Sequence, residues 1–184
     1  MKRICTVLAL CAALLLPGCG RNDIEPRWER FSAALNTAKS FGFTADIRAE
    51  YNDKSLEFTL EFEQTGSDGT VTVIAPEELH GIKAVTRDGG QNLEYYGFVI
   101  DTGTLDGGLT PVGALPALAE TMLAGYADCF WREDNSAVVR LIASDDLTVT
   151  LWLDESDFVP LHAELESGGR VTVFCDIRDW HTDT

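Results

Sequence analysis

Between residues 41 and 62 the chain places one apolar residue in every two. Phe41, Phe43, Ala45, Ile47, Ala49 and Tyr51 alternate with Gly42, Thr44, Asp46, Arg48 and Glu50. After Asn52-Asp53-Lys54 the rhythm resumes: Leu56, Phe58, Leu60 and Phe62 alternate with Glu57, Thr59, Glu61 and Glu63. Successive strand side chains point to opposite faces, so this pattern buries one face of a sheet and wets the other. Two such runs joined by a short polar turn predict a half-buried antiparallel hairpin. Whatever else the chain forms must cover that hairpin's apolar face.

The same rhythm predicts strands at 71–75, 82–86, 92–96 and 98–102, then at 129–133, 138–143, 147–153, 159–165 and 170–177, with Gly-, Asp- and Ser-rich turns between them. Two stretches have helical periodicity instead. From Pro26 to Lys39 the apolar stripe is Trp28, Phe31, Leu35 and Ala38; from Val112 to Gly125 it is Leu115, Leu118 and Met122. The length suits one domain with a real core. About eleven strands at about 4.8 Å spacing make a sheet roughly 50 Å wide, and a helix is only about 10 Å across. Two helices cannot cover such a sheet while it stays flat, and sheets beyond about ten strands curl. The expected fold is therefore mainly β (α+β): a curled antiparallel half-barrel of about eleven strands with an N-terminal helix and a helical lid. Its concave face is an apolar groove of the kind that takes an apolar ligand. Phe43, Ile47, Phe58, Leu60 and Phe62 are the candidate lining on the sheet, with Leu115, Leu118 and Met122 from the lid. Ordinary core packing is the competing reading for each of them.

The first residues read as a leader. Lys2 and Arg3 precede an uncharged apolar run from Ile4 to Leu16, which suits a signal peptide and is shorter than the about 20 residues a spanning helix needs. Leu16-Pro17-Gly18-Cys19 resembles the bacterial lipobox, in which the cysteine is lipidated and becomes the new N-terminus. That reading divides the chain into a lipoprotein signal peptide (1–18), a lipidated Cys19 with a short tether (19–27) and the half-barrel domain (28–184). Cys5 and Cys11 would leave with the leader. The other reading is a plain secretory signal in which Cys19 is incidental. Eight tether residues, Gly20 to Arg27, reach about 28 Å at most, so an anchored domain stays near its membrane.

Charge narrows the partners. The formal net charge is −16, and the leader contributes only basic residues to it. Nucleic acid needs a basic patch to displace counterions. Lying flat on anionic lipid needs clustered Lys and Arg. The chain has neither, and its dispersed acidic residues read as a solvated surface.

Catalytic and metal motifs are absent from the sequence: there is no Gly-x-Ser-x-Gly elbow, P-loop, His-Glu-x-x-His or Cys-x-x-Cys. His80 falls in a loop and His181 near a frayed end. His162, Glu164 and Glu166 share one strand face, which could suit a metal, but Leu161, Ala163 and Leu165 take the inward face, so the trio reads as solvated surface. Asp154, Glu155 and Asp157 lack the spacing of a calcium loop and read as a polar turn. No metal or cofactor is expected. Cys129 and Cys175 remain after lipidation. An extracytoplasmic site permits a disulfide between them, and burial of Cys175 as a small hydrophobe is the alternative.

The order of the pieces resembles the LolA/LolB-like lipoprotein-carrier superfamily. The pieces are the N-terminal helix ahead of the 41–62 hairpin, Ala75-Pro76-Glu77-Glu78-Leu79-His80-Gly81-Ile82, and Leu109-Thr110-Pro111 leading into the second helix. Leu151-Trp152-Leu153-Asp154, Val159-Pro160-Leu161 and Gly168-Gly169-Arg170 close the pattern. The resemblance implies an unclosed half-barrel with a helical lid that cradles acyl chains. With Cys19 it implies a non-enzymatic, membrane-anchored protein on the outer face of a bacterial cell membrane, or of an outer membrane where one exists. Its expected partners are lipid or lipoprotein acyl chains and, through the anchor, the membrane. The alternative is an envelope scaffold or sensor that binds a protein partner through its sheet edge or face.

Overall fold

A computed structural model describes residues 23–51, 54–87, 90–95, 98–103 and 110–184. Helix α1 (Ile24–Thr37) leads into β1 (Ser40–Tyr51), β2 (Lys54–Thr65), β3 (Asp68–Ala75), β4 (Lys83–Arg87), β5 (Gly90–Tyr95) and β6 (Phe98–Gly103). Helix α2 (Pro111–Ala124) then connects to β7 (Tyr126–Glu133), β8 (Ser136–Ile142), β9 (Leu147–Asp154), β10 (Pro160–Ser167) and β11 (Arg170–Asp183). A single 3-10 turn, Glu77–Leu79, sits between β3 and β4.

All eleven strands join one curled, unclosed antiparallel sheet in the order β6-β5-β4-β3-β2-β1-β11-β10-β9-β8-β7. The chain thus builds one half outward from β1 to the β6 edge, crosses through α2, and returns inward from the β7 edge to β11. The β1–β2 hairpin pairs Phe43 with Phe62, Ala45 with Leu60 and Ile47 with Phe58, as the alternation requires. The inward residues of β8 to β11 (Val139, Leu141, Val149, Leu151, Ala163, Leu165, Val173 and Cys175) complete one interior cluster with the helices.

Helix α1 begins two residues earlier than the pattern from Pro26 indicates. Ile24 lies one turn before Trp28 and is buried with it and Leu35, so residues 24–27 belong to the helix and not to a polar tether. The Asp23 carboxylate, just before the helix, accepts from Arg132 Nη2 at 2.6 Å, and Arg132 Nε donates to Glu155 at 2.8 Å. That pairing, led by the Arg132 hydrogen bond, holds the Asp23 carboxyl below the ordinary carboxylate range.

The 154–157 segment is a tight turn. Asp154 Oδ1 accepts from the backbone N–H groups of Ser156 (2.7 Å) and Asp157 (3.0 Å) and from the Ser156 hydroxyl. The hydroxyl first, and then the two amides, lower its pKa below 3.8. The turn's stabilisation is complete above that unfolded value and disappears as pH falls through the folded one. Asp154→Ala is therefore expected to be less stable than the parent near neutral pH. Acid denaturation should show the difference closing at low pH.

A departure from regular alternation in β11 changes which side chains face the interior. Thr44 pairs with Arg178 but Gly42 pairs with His181, so Phe43 faces two residues, Asp179 and Trp180. Asp179 takes φ 54°, the left-handed region, and absorbs the extra residue as a β-bulge. Straight alternation from Val173, Cys175 and Ile177 would put Asp179 inside and Trp180 outside. The bulge reverses this. The strand also runs on to Asp183, so His181 is not at a frayed end: its Nε2 lies 3.1 Å from Glu63 Oε1. Asp179→Val is expected to lose about 1–2 kcal/mol, because a β-branched residue resists that conformation. Asp179→Gly should lose nothing, with urea unfolding of both variants as the measurement.

Candidate functional site

The candidate site is the concave face and the helix that covers it. Helix α2 starts at Thr110, whose hydroxyl accepts from the Gly113 N–H at 3.0 Å, with Pro111 in its first turn. Ala114, Leu115, Leu118, Ala119, Thr121 and Met122 are buried. Thr121 satisfies its hydroxyl by donating to the Ala117 carbonyl at 2.6 Å, so every side chain that α2 buries is apolar or internally satisfied. The helix lies across β1, β2 and β3, reaches β8 and β10, and touches α1. The Asn36 side-chain amide donates to the Leu123 carbonyl at 3.1 Å and ties the two helices together.

Seven of the eight candidate groove residues, Phe43, Ile47, Leu60, Phe62, Leu115, Leu118 and Met122, are exposed by 2 % or less, and Phe58 is half-buried against them. The structure brings all eight into one cluster, in which α2 is docked on the sheet. Under α1 an aromatic chain continues that cluster. Trp180 stacks on Phe43 (5.5 Å) and Phe41 (5.8 Å), Phe62 meets both phenylalanines, and Phe31 joins Trp180 to Trp28 and Phe158. Sequence reasoning missed Trp180 and Phe158. Both depend on left-handed backbone: Phe158 itself has φ 59°, and Asp179 turns Trp180 inward.

Cys129 and Cys175 are free. They lie on β7 and β11, four strand spacings apart, about 19 Å along the sheet, and Cβ atoms that far apart cannot be bridged. Cys175 is instead a buried small hydrophobe. Burial pushes its thiol up to about 12, so it resists alkylation. Of these two cysteines, iodoacetamide is expected to label only Cys129 in the native protein and both in denaturant, read by peptide mass.

His162 and Glu164 lie on the opposite, convex face, where His162 Nδ1 is 2.7 Å from Asp176 Oδ1. Among the described residues no group of three or more His, Cys, Asp and Glu is arranged to hold a metal ion. None of the described helices is long and apolar enough to cross a membrane. Cys19 and the leader lie outside the described residues.

No protein-family model matches the chain, and no curated protein matches it. Solved structures do. A LolA superfamily protein from Nitrosomonas europaea superposes with a TM-score of 0.52 at 14 % identity, over 88 % of this chain and 94 % of that one. The fold is LolA-like. A putative outer membrane lipoprotein-sorting protein domain from Vibrio parahaemolyticus (TM-score 0.47, 11 % identity, 86 % and 92 % covered) is also similar. So is the lipoprotein LppX of Mycobacterium tuberculosis (0.42, 9 %, 85 % and 92 %). In the LolA-like arrangement of this chain, α2 closes the open side of the half-barrel and α1 fills the space beside it.

Proposed function

We propose that this chain is a lipid-anchored lipoprotein of the bacterial envelope that holds an acyl chain between the concave face and α2, and that it catalyses no reaction. One observation carries the reading. The apolar face of an unclosed eleven-stranded sheet is shut by two helices, and the one that lies across β1–β3, α2, has a buried surface that offers no polar anchor to the sheet. Contacts of that kind are non-directional, and apolar contacts to a hydrocarbon chain replace them with little loss. A ligand that wedges between α2 and β1–β3 would trade helix–sheet contacts for ligand–sheet contacts. Phe43, Ile47, Phe58, Leu60 and Phe62 are the floor of that site, and Leu115, Leu118 and Met122 are its roof. Cys19 would hold the domain beside a membrane that supplies the chain. The tether is then the few residues before Ile24, which reach about 14 Å.

Native mass spectrometry of the protein purified in mild detergent tests the reading. A bound lipid mass, or one-to-one uptake of added palmitate, is expected. A clean ligand-free mass with no uptake would overturn it. The anchor has a separate test: metabolic labelling with an alkyne fatty acid should mark the parent and not Cys19→Ser.

A further inference from the structure

The convex face carries a platform whose lining shares only Ile47 and Phe58 with the floor of the acyl-chain groove. Register pairs Trp131 with Val138, Val138 with Trp152, Trp152 with His162, His162 with Asp176, Asp176 with Asp46, and Asp46 with Thr59. Directly opposed residues share a face, so these seven form one row across seven strands, about 29 Å long at about 4.8 Å per spacing.

The row is built at both ends. Val138 is fully buried although it points away from the interior cluster that contains its neighbours Ala137 and Val139. Its cross-strand neighbours Trp131 and Trp152 flank it, and both indole N–H groups donate to Glu133 Oε2, at 3.5 and 3.3 Å. The ring of His162 meets Trp152 edge-on at 5.1 Å. Beyond His162 the face sinks into a depression of about 720 Å³ whose walls include Glu57, Pro76, Glu164 and Phe174. The Arg48 guanidinium lies 4.0 Å over the Phe174 ring.

Acidic groups predominate around this floor, although Arg140 on β8 faces outward in the same register. Asp46, Glu57, Glu61, Glu164, Glu166 and Asp176 face outward on β1, β2, β10 and β11 by the same register. The arginines among them are already engaged, Arg48 with Glu50 and Arg178 with Asp46. Anionic lipid and nucleic acid are repelled by such a face. A lysine or arginine side chain is attracted, can lay its stem on an aromatic ring and can set its charge against a carboxylate. The row lies in the middle of the sheet, where the strands are already paired, so recognition there is by side chains and not by strand addition.

We propose that the convex row from Trp131 to Thr59 is a docking surface for an extended, basic polypeptide segment of a partner protein. The cations of that segment meet Trp152, Glu164 and Glu57, and its apolar residues settle against Phe174 and Pro76. About eight or nine extended residues span the row. This site does not depend on the concave face being a lipid site.

The test uses the ¹⁵N-labelled protein and an acetylated octapeptide of two Lys-Lys-Leu-Leu repeats, which presents both residue types on each face of an extended chain, with the matching Glu–Leu octapeptide and spermidine as comparisons. The protein has four tryptophans, two on this row and two on the interior side (Trp28 on α1 and Trp180 beneath it), so the indole N–H signals report the two faces separately. The Lys–Leu peptide is expected to shift the Trp131 and Trp152 signals and leave Trp28 and Trp180 in place. Trp152→Ala and Phe174→Ala should each weaken binding roughly tenfold, as truncation of an interface anchor does. A charge control, Asp145→Asn with Asp146→Asn on the β8–β9 loop, should change it less than about twofold. No binding, equal shifts at all four indoles, equal response to spermidine, or equal weakening by the charge control would each overturn the proposal. Shifts confined to Trp28 and Trp180 would also overturn it and place the peptide in the interior. Palmitate uptake is measured on the protein without peptide, so the lipid reading stands or falls on its own measurement.

Discussion

Phe62→Ala is expected to lower the stability of the domain by about 3–5 kcal/mol, the range for truncating a fully buried aromatic side chain. Phe62 is completely buried, pairs directly with Phe43 across the β1–β2 ladder and lies 6.0 Å from Phe41. Its removal opens a cavity beneath the stack of Phe41, Phe43 and Trp180, and those rings cannot all follow the missing one. A double-mutant cycle with Phe43→Ala isolates the ring–ring part, expected at about 0.5–1.5 kcal/mol. Urea unfolding followed by tryptophan fluorescence is the measurement. A loss below 1 kcal/mol would show that the concave face is loosely packed in solution.

The position of Phe62 was readable from the alternation of β2 alone; that of its neighbour Trp180 was not. A period-two pattern predicts faces only while the strand stays regular, and one extra residue inverts everything beyond it. The bulge at Asp179 leaves no compositional mark, since an aspartate in a strand also reads as an exposed polar residue. The start of α1 was missed for a related reason. Ile24 sits alone among Arg21, Asn22, Asp23 and Glu25, and its value appears only when Trp28, one turn on, is known to be buried. The sheet's size and its curl followed from counting strands. Whether α2 is docked did not, because Leu115, Leu118 and Met122 give the same stripe to a lid and to a core helix. The row on the convex face was hidden too, since register across seven strands cannot be read from any one of them.

Leu118→Ala is expected to cost about 2–5 kcal/mol, because Leu118 is fully buried between α2 and the sheet and its loss leaves a cavity. This variant also separates two roles of the helix. An apolar cavity stays dry and admits an apolar guest. If the space under α2 is the acyl site, palmitate at saturating concentration should restore part of the lost stability, by about 2.7 kcal/mol at one hundred times its dissociation constant. Leu151→Ala, equally buried on the floor of β9 and away from α2's main contacts, should lose as much and recover less. Equal recovery in both variants, or in neither, would remove α2 from the ligand site.

The strand order also dictates a schedule. Ser40 at the start of β1 pairs with Asp183 at the end of β11, so one of the two central ladders joins segments about as far apart in the chain as any. Until β11 is made, β1 has a naked edge and the half-sheets β1–β6 and β7–β11 hold together only through α2 and α1. A chain that emerges amino end first therefore carries an open, apolar half-bowl through most of its synthesis. Non-local closure of this kind is slow and exposes the intermediate to aggregation. The seam between β1 and β11, buried at the heart of the finished sheet, is the last part of it that can be sewn.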